Sequence, residues 1–256
     1  MSAEALVPGL YGKLPVRGDF VARHLPRSFV DSWDAWLSQV ISRSQEQLGA
    51  AWLEHYLSSP IWRFALSGGL CGDVPFAGVL MPSVDGVGRY FPLTLAVELA
   101  EAPDLPSLTI TAHIWFEEAE RLALAGLDDH LDLEDFAARV RKLGSPPCMA
   151  APIVPNESAA SAEVGWHCTV DDLAGIERSF PMLTGSLLQR AFPGCSLWWS
   201  SGSQRMAPCL LICEGLPSAD GFSAMLTGDW ADRGWFERPL SGAEESDGRA
   251  PAGGAR

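Results

Sequence analysis

Residues 78–94, GVLMPSVDGVGRYFPLT, decide the fold class. Two apolar runs flank a polar turn that holds Ser83, Asp85 and Arg89. The first run extends back to Phe76 and predicts a strand over 76–81. The second predicts a strand over 90–99. Pro92 then suits only a strand start, an edge or a bulge, because proline has no N–H for the ladder. The turn at 82–88 is too short for a parallel crossover, so the two strands pair antiparallel. Upstream, IWRFAL at 61–66 is a third apolar run, closed by Gly68 and Gly69. The three runs predict an antiparallel meander.

Helices flank this meander in sequence. On the N-terminal side, residues 8–26 read as an extended lead-in with turns at Gly12, Pro15 and Gly18. A helix follows, with Ser28 as expected N-cap and Asp31 in the capping-box position. Its apolar stripe is Phe29, Trp33, Trp36, Leu37, Val40 and Ile41. A second amphipathic stretch covers 47–57. On the C-terminal side, 108–127 has helical spacing, although Leu108 to Thr111 reads equally well as strand. Asp132 caps a helix over 133–143 that stops at Gly144. Residues 145–163 are rich in Pro, Ala and Ser and predict a crossover loop. A short helix follows Pro181, then strands at 195–200 and 209–214 joined by a polar turn, then a helix over 218–226. This order predicts one domain over 6–240, an α/β three-layer α/β/α sandwich around one mixed, largely antiparallel sheet. Residues 241–256, SGAEESDGRAPAGGAR, predict a disordered tail.

Composition narrows the function. The chain has 256 residues, with 18 Lys plus Arg against 32 Asp plus Glu, a formal charge of −14. With a pI near 4.7, it lacks the basic surface that phosphate contacts need, so no nucleic-acid partner is expected. No apolar run approaches the ~18–20 residues that cross a bilayer. The N-terminus has no basic start followed by an apolar stretch. Both readings predict a cytoplasmic protein without membrane insertion. Acid is concentrated at 98–135, which holds eleven Asp or Glu and one base, Arg121. That stretch reads as a solvated helical face or as a steering surface for a basic partner.

Catalytic signals are thin. No zinc-protease, nucleophile-elbow or phosphate-loop string is present, and no two histidines have ligand spacing, so neither metal nor cofactor is expected. The six cysteines sit in apolar flanks and read as reduced and buried. A hydrolase using Cys168 or Cys71 with a histidine is the enzymatic alternative, and a small-molecule sensor is another. Ten tryptophans exceed ordinary need and either fill the core or anchor a partner. Trp198 and Trp199 are adjacent on a predicted strand and must face opposite sides. For partner recognition the candidate residues are Arg17, Asp19, Asp85 and Arg89. Asp85 and Arg89 are close enough to pair across their turn. Arg17 and Asp19 flank Gly18, where they either form a local ion pair or reach toward a partner.

Five segments together resemble one family. GLYGKLPVRGDFV at 9–21, FVDSWDAWL at 29–37, PIWRFAL at 60–66, GVLMPSVDGVGRYFPLT at 78–94 and SLWW at 196–199 look like the TagF family, also called ImpM, associated with bacterial type VI secretion. The match is dense from Gly9 to Thr94 and thin beyond, to about Trp230. The resemblance implies a three-layer sandwich, in agreement with the element order. It also implies a non-enzymatic, post-translational repressor of type VI secretion that binds a forkhead-associated scaffold protein of the system. Some members are fused to a PppA-type Ser/Thr phosphatase domain, which makes that phosphatase pathway a further expected connection. With sixteen residues after Leu240, no such fused domain is expected here.

Overall fold

A computed structural model of the chain describes residues 6–100, 103–149, 183–185, 187–188, 190–192 and 194–236. Seven strands form one sheet: β1 Gly9–Gly12, β2 Val21–Arg23, β3 Trp62–Leu66, β4 Phe76–Met81, β5 Leu93–Glu98, β6 Cys195–Ser200 and β7 Cys209–Glu214. Their spatial order is β2-β1-β5-β4-β3-β6-β7. The expected meander is present as β3, β4 and β5. The sheet expected to be mixed and largely antiparallel is antiparallel in every pairing among the described residues.

The lead-in contributes more than turns. β1 pairs with both β2 and β5 and so lies inside the sheet. Gly12 makes this close approach feasible. Its φ is +135°, and a Cβ there would meet the Pro92 backbone. The strand expected from residue 90 begins at Leu93, after Pro92.

Six labelled helices cover the sheet: α1 Arg27–Leu48, α2 Trp52–Ser58, α3 Leu108–Thr111, α4 His113–Ala125, α5 Leu133–Lys142 and α6 Phe222–Thr227. The described residues at 183–185, 187–188 and 190–191 are helical as well, where a short helix was expected. Three boundaries differ from the sequence reading. Pro26, not Ser28, is the N-cap of α1, and it makes no side-chain cap. Proline's fixed φ suits a helix start, so the helix begins two residues earlier than the hydroxyl signal suggests. The second helix starts at Trp52, because Gly49–Ala51 turns as a 3-10 segment. The last helix starts at Phe222 rather than 218. Asp132 caps α5 as expected, its carboxylate accepting the Asp135 N–H at 2.8 Å.

Strand alternation divides the core into two chemically different faces. One face is aliphatic: Ala77, Val79 and Met81 of β4 meet Phe116, Ala119 and Leu122 of α4 and Phe136 and Val140 of α5. The other is aromatic. Trp33 of α1 lies 4.8 Å from the Phe64 ring and 4.7 Å from Trp36, and it stacks on Trp198 at 6.0 Å. α2 and α6 complete that layer. Trp198 and Trp199 face opposite sides, as predicted. Trp199 meets Phe116 edge-on at 4.7 Å in the aliphatic layer. None of the nine described tryptophans is exposed, so those rings are core and not a surface patch. The tail at 241–256 and most of the crossover at 145–163 lie outside the described residues.

Candidate functional site

Two loops meet at one end of the sheet. The first follows β1 and carries residues 13–20. The second is the turn between β4 and β5. Gly86 lets them touch, since a Cβ there would lie 2.7 Å from the Pro15 carbonyl oxygen. Its N–H donates to the Arg17 carbonyl at 2.8 Å. The Ser83 hydroxyl donates to the Lys13 carbonyl at 2.7 Å. Tyr56 of α2 fixes the turn from below, its hydroxyl donating to the Ser83 carbonyl and accepting the Ser83 N–H, each at 2.9 Å.

The electrostatic centre is Asp85, whose side chain is wholly buried. The Lys13 ammonium, also buried, donates to Oδ2 at 2.6 Å. The Arg89 guanidinium donates to the same oxygen at 2.7 Å. Oδ1 accepts the N–H groups of Arg89 at 2.8 Å and Val87 at 3.1 Å. Burial alone would push this carboxyl up. The hydrogen bonds from Lys13, Arg89 and Val87 outweigh it and hold the carboxyl well below the usual carboxylate range. Arg89 continues outward, donating to the Gly18 carbonyl and reaching Asp19 at 4.0 Å. Phe20 closes the knot, with its ring 5.7 Å from Tyr11, 4.8 Å from Phe91 and 5.1 Å from the Lys13 ammonium.

The four candidate residues are therefore neighbours, although their roles differ. Asp85 is internal wiring. Arg17, Asp19 and Arg89 are exposed, beside Val87, which is 69% exposed. Asp85 and Arg89 pair as the turn suggested. Arg17 and Asp19 do not form the local pair considered from sequence, because Asp19 turns toward Arg89 and the Arg17 side chain has no ion-pair partner among the described residues. Below the turn lies a groove of about 520 Å³, lined by Pro15, Pro82, Val84, Leu57 and Leu127, with Asp129 at its rim. Lys13, Tyr56 and Leu57 were missed as site residues. Only a lone lysine inside the apolar string LYGKLPV hinted at the buried cation.

The acidic stretch does not form a second site of this kind. Glu120 makes a bidentate pair with Arg63 at 2.7 and 2.9 Å, Glu118 pairs with Arg121, and Glu134 pairs with Arg23 at 3.1 Å. Asp104 is buried, neither carboxylate oxygen has a hydrogen-bond partner among the described residues, and burial pushes it up to about 6. Among the described residues no cluster could hold a metal ion. The Cys71 thiol is buried and pushed up to about 12, the opposite of an activated nucleophile. Cys168 and His167 lie outside the described residues.

The model of the TagF N-terminal domain, described as type VI secretion system-associated, matches residues 9–143, just over half of the chain. The chain belongs to the TagF family. The crystal structure of PA0076 from Pseudomonas aeruginosa PAO1 is similar over nearly the whole length, with 40% identity, a TM-score of 0.74, and coverage of 91% of this chain and 98% of that one. A comparison with curated proteins returned no significant match. The TagF span contains both loops of the knot, together with α1 to α5. The chain thus carries a type VI secretion-associated domain. No helix among the described residues is long and apolar enough to cross a membrane.

Proposed function

We propose that this TagF chain represses type VI secretion after translation, in the cytoplasm, by docking onto the forkhead-associated scaffold protein of the system. It acts by occupying that protein and not by covalent chemistry. The observation that supports this reading is the loop knot. A buried Lys13–Asp85 pair costs desolvation energy, and such pairs are kept where they fix a conformation. Here the conformation displays Arg17, Asp19, Val87 and Arg89 on a rigid base beside an open groove. Arginine is enriched among the hot spots of protein interfaces. Ordering these groups in advance lowers the entropic cost of binding. A PppA-type phosphatase pathway would act on the same scaffold as a separate input.

The direct test is retention of the purified forkhead-associated protein by the immobilised chain at low salt. Retention supports the proposal. Absence of retention, with both proteins folded, contradicts it.

A further inference from the structure

The groove beside the loop knot has a chemistry of its own. Its apolar lining comes from both layers of the sandwich: Leu57 belongs to α2 on the aromatic side, and Leu127 follows α4 on the aliphatic side. Leu57 is 58% exposed and Leu127 39%, so both remain open to an occupant. Pro15, Pro82 and Val84 complete the lining. The prolines have a fixed φ, and the Tyr56 hydroxyl pins the turn at Ser83, so the groove is formed in advance. The backbone donors of the turn are already spent. The Ser83 N–H goes to the Tyr56 hydroxyl, that of Asp85 to the Arg89 carbonyl at 3.0 Å, that of Gly86 to the Arg17 carbonyl at 2.8 Å and that of Gly88 to the Asp85 carbonyl at 3.0 Å. This lining therefore has few donors to offer a carboxylate or a phosphate. The Asp85 carboxylate is neutralised from within by Lys13 and Arg89. The charge left at the rim is Asp129, next to Asp128 in the chain. Both are exposed, and neither has an ion-pair partner among the described residues, whereas Glu118, Glu120 and Glu134 are each held by an arginine.

We propose that this groove takes a segment of the forkhead-associated scaffold that carries an apolar side chain next to a lysine or arginine, with the apolar group against Leu57 and Leu127 and the cation on Asp129. That requirement on the partner rests on the docking reading above. The apolar lining gains by leaving water only against an apolar occupant. An occupant without a cation would strip water from Asp129 and leave it unpaired, which costs free energy. An acidic occupant would be repelled by Asp128 and Asp129, within a chain of charge −14. The groove is also continuous with the exposed face of the knot. Gly86 and Gly88 line it, and Val87 between them is one of the displayed side chains. One partner surface therefore covers Arg17, Val87 and the groove together.

Isothermal titration of the full-length forkhead-associated protein into the full chain tests the proposal, with wild type compared against Asp129→Lys, Leu57→Ser and Glu117→Lys. All three positions are exposed, so the melting temperature should not change. Asp129→Lys should weaken binding at least about tenfold at low salt, and less in roughly 0.5 M salt, where exposed charges are screened. Leu57→Ser should weaken it about fivefold at both salt concentrations. Glu117→Lys on α4 changes the net charge by the same amount as Asp129→Lys and should stay within about twofold of wild type. Absence of binding by the wild-type chain overturns the docking reading and this occupant with it. Wild-type binding that is unaltered in Asp129→Lys or in Leu57→Ser, or weakened as much by Glu117→Lys as by Asp129→Lys, overturns the occupant alone.

Discussion

Asp85 and Asp104 are both buried, and their surroundings drive them in opposite directions. In the loop knot, Asp85 receives Lys13, Arg89 and two backbone N–H groups and stays ionised. In the acidic stretch, Asp104 has no hydrogen bond to either carboxylate oxygen among the described residues and is pushed up to about 6. Burial is common to both, so the partners decide the charge. The comparison separates the two surfaces considered from sequence. The knot is an organised device with fixed charges at its rim. The acidic stretch is a set of separate ion pairs, two of them to distant elements, plus one buried acid without a hydrogen-bond partner among the described residues.

Removing Lys13 should move Asp85 toward the condition of Asp104, although Arg89 and two backbone N–H groups remain on it. Lys13→Met is expected to lower the melting temperature on the order of 10 °C at neutral pH, because a buried carboxylate loses its closest cation. Scanning calorimetry checks this. A fall of only a degree or two would mean that the pair carries little of the knot.

Asp104 sharpens the contrast through pH. Its folded value lies above the ordinary 3.8, so its protonated form favours the folded state. Stability from this group is fully present below about 4 and is lost as pH rises through about 6. Asp85 has the reverse sign. Its contribution is present above the ordinary aspartate range and is lost only as pH falls below that range. Between these pH values Asp104, and not Asp85, contributes slope, and Asp104→Asn should flatten the stability profile there. Urea midpoints at a series of pH values measure it, and an unchanged slope would show that Asp104 is ionised at no cost.

The smallest effect belongs to the solvated helical face. Arg121→Ala, which breaks the pair with Glu118 on α4, should shift the melting temperature by less than about 2 °C. A larger fall would give the acidic stretch a structural weight that its exposed pairs do not suggest.

The strands at Phe76–Met81, Cys195–Ser200 and Cys209–Glu214 were legible to the residue, because each is an apolar run closed by turn residues. β1 was not. Gly12 reads as a turn signal, whereas Gly9 and Gly12 serve close approach to β2 and β5, a contact invisible in local sequence. The same reason hid the centre of the site. The Asp85–Arg89 pair spans one turn and could be read from spacing. Lys13 lies 72 positions from Asp85, and only the sheet order that places β1 beside β5 brings them together. Arg17 and Asp19 lie in the loop after β1, as the turn at Gly18 implies, but they do not pair with each other, and Asp19 lies 4.0 Å from Arg89 instead.

On the proposed reading, the knot is the docking face for the forkhead-associated scaffold. Isothermal titration of that protein with wild-type chain, Arg17→Glu and Glu117→Lys tests it most directly. Arg17→Glu should weaken binding at least about tenfold with an unchanged melting temperature, while Glu117→Lys on the helical face should bind within about twofold of wild type. Equal affinity of Arg17→Glu and wild type, with loss of binding in Glu117→Lys, would contradict the account.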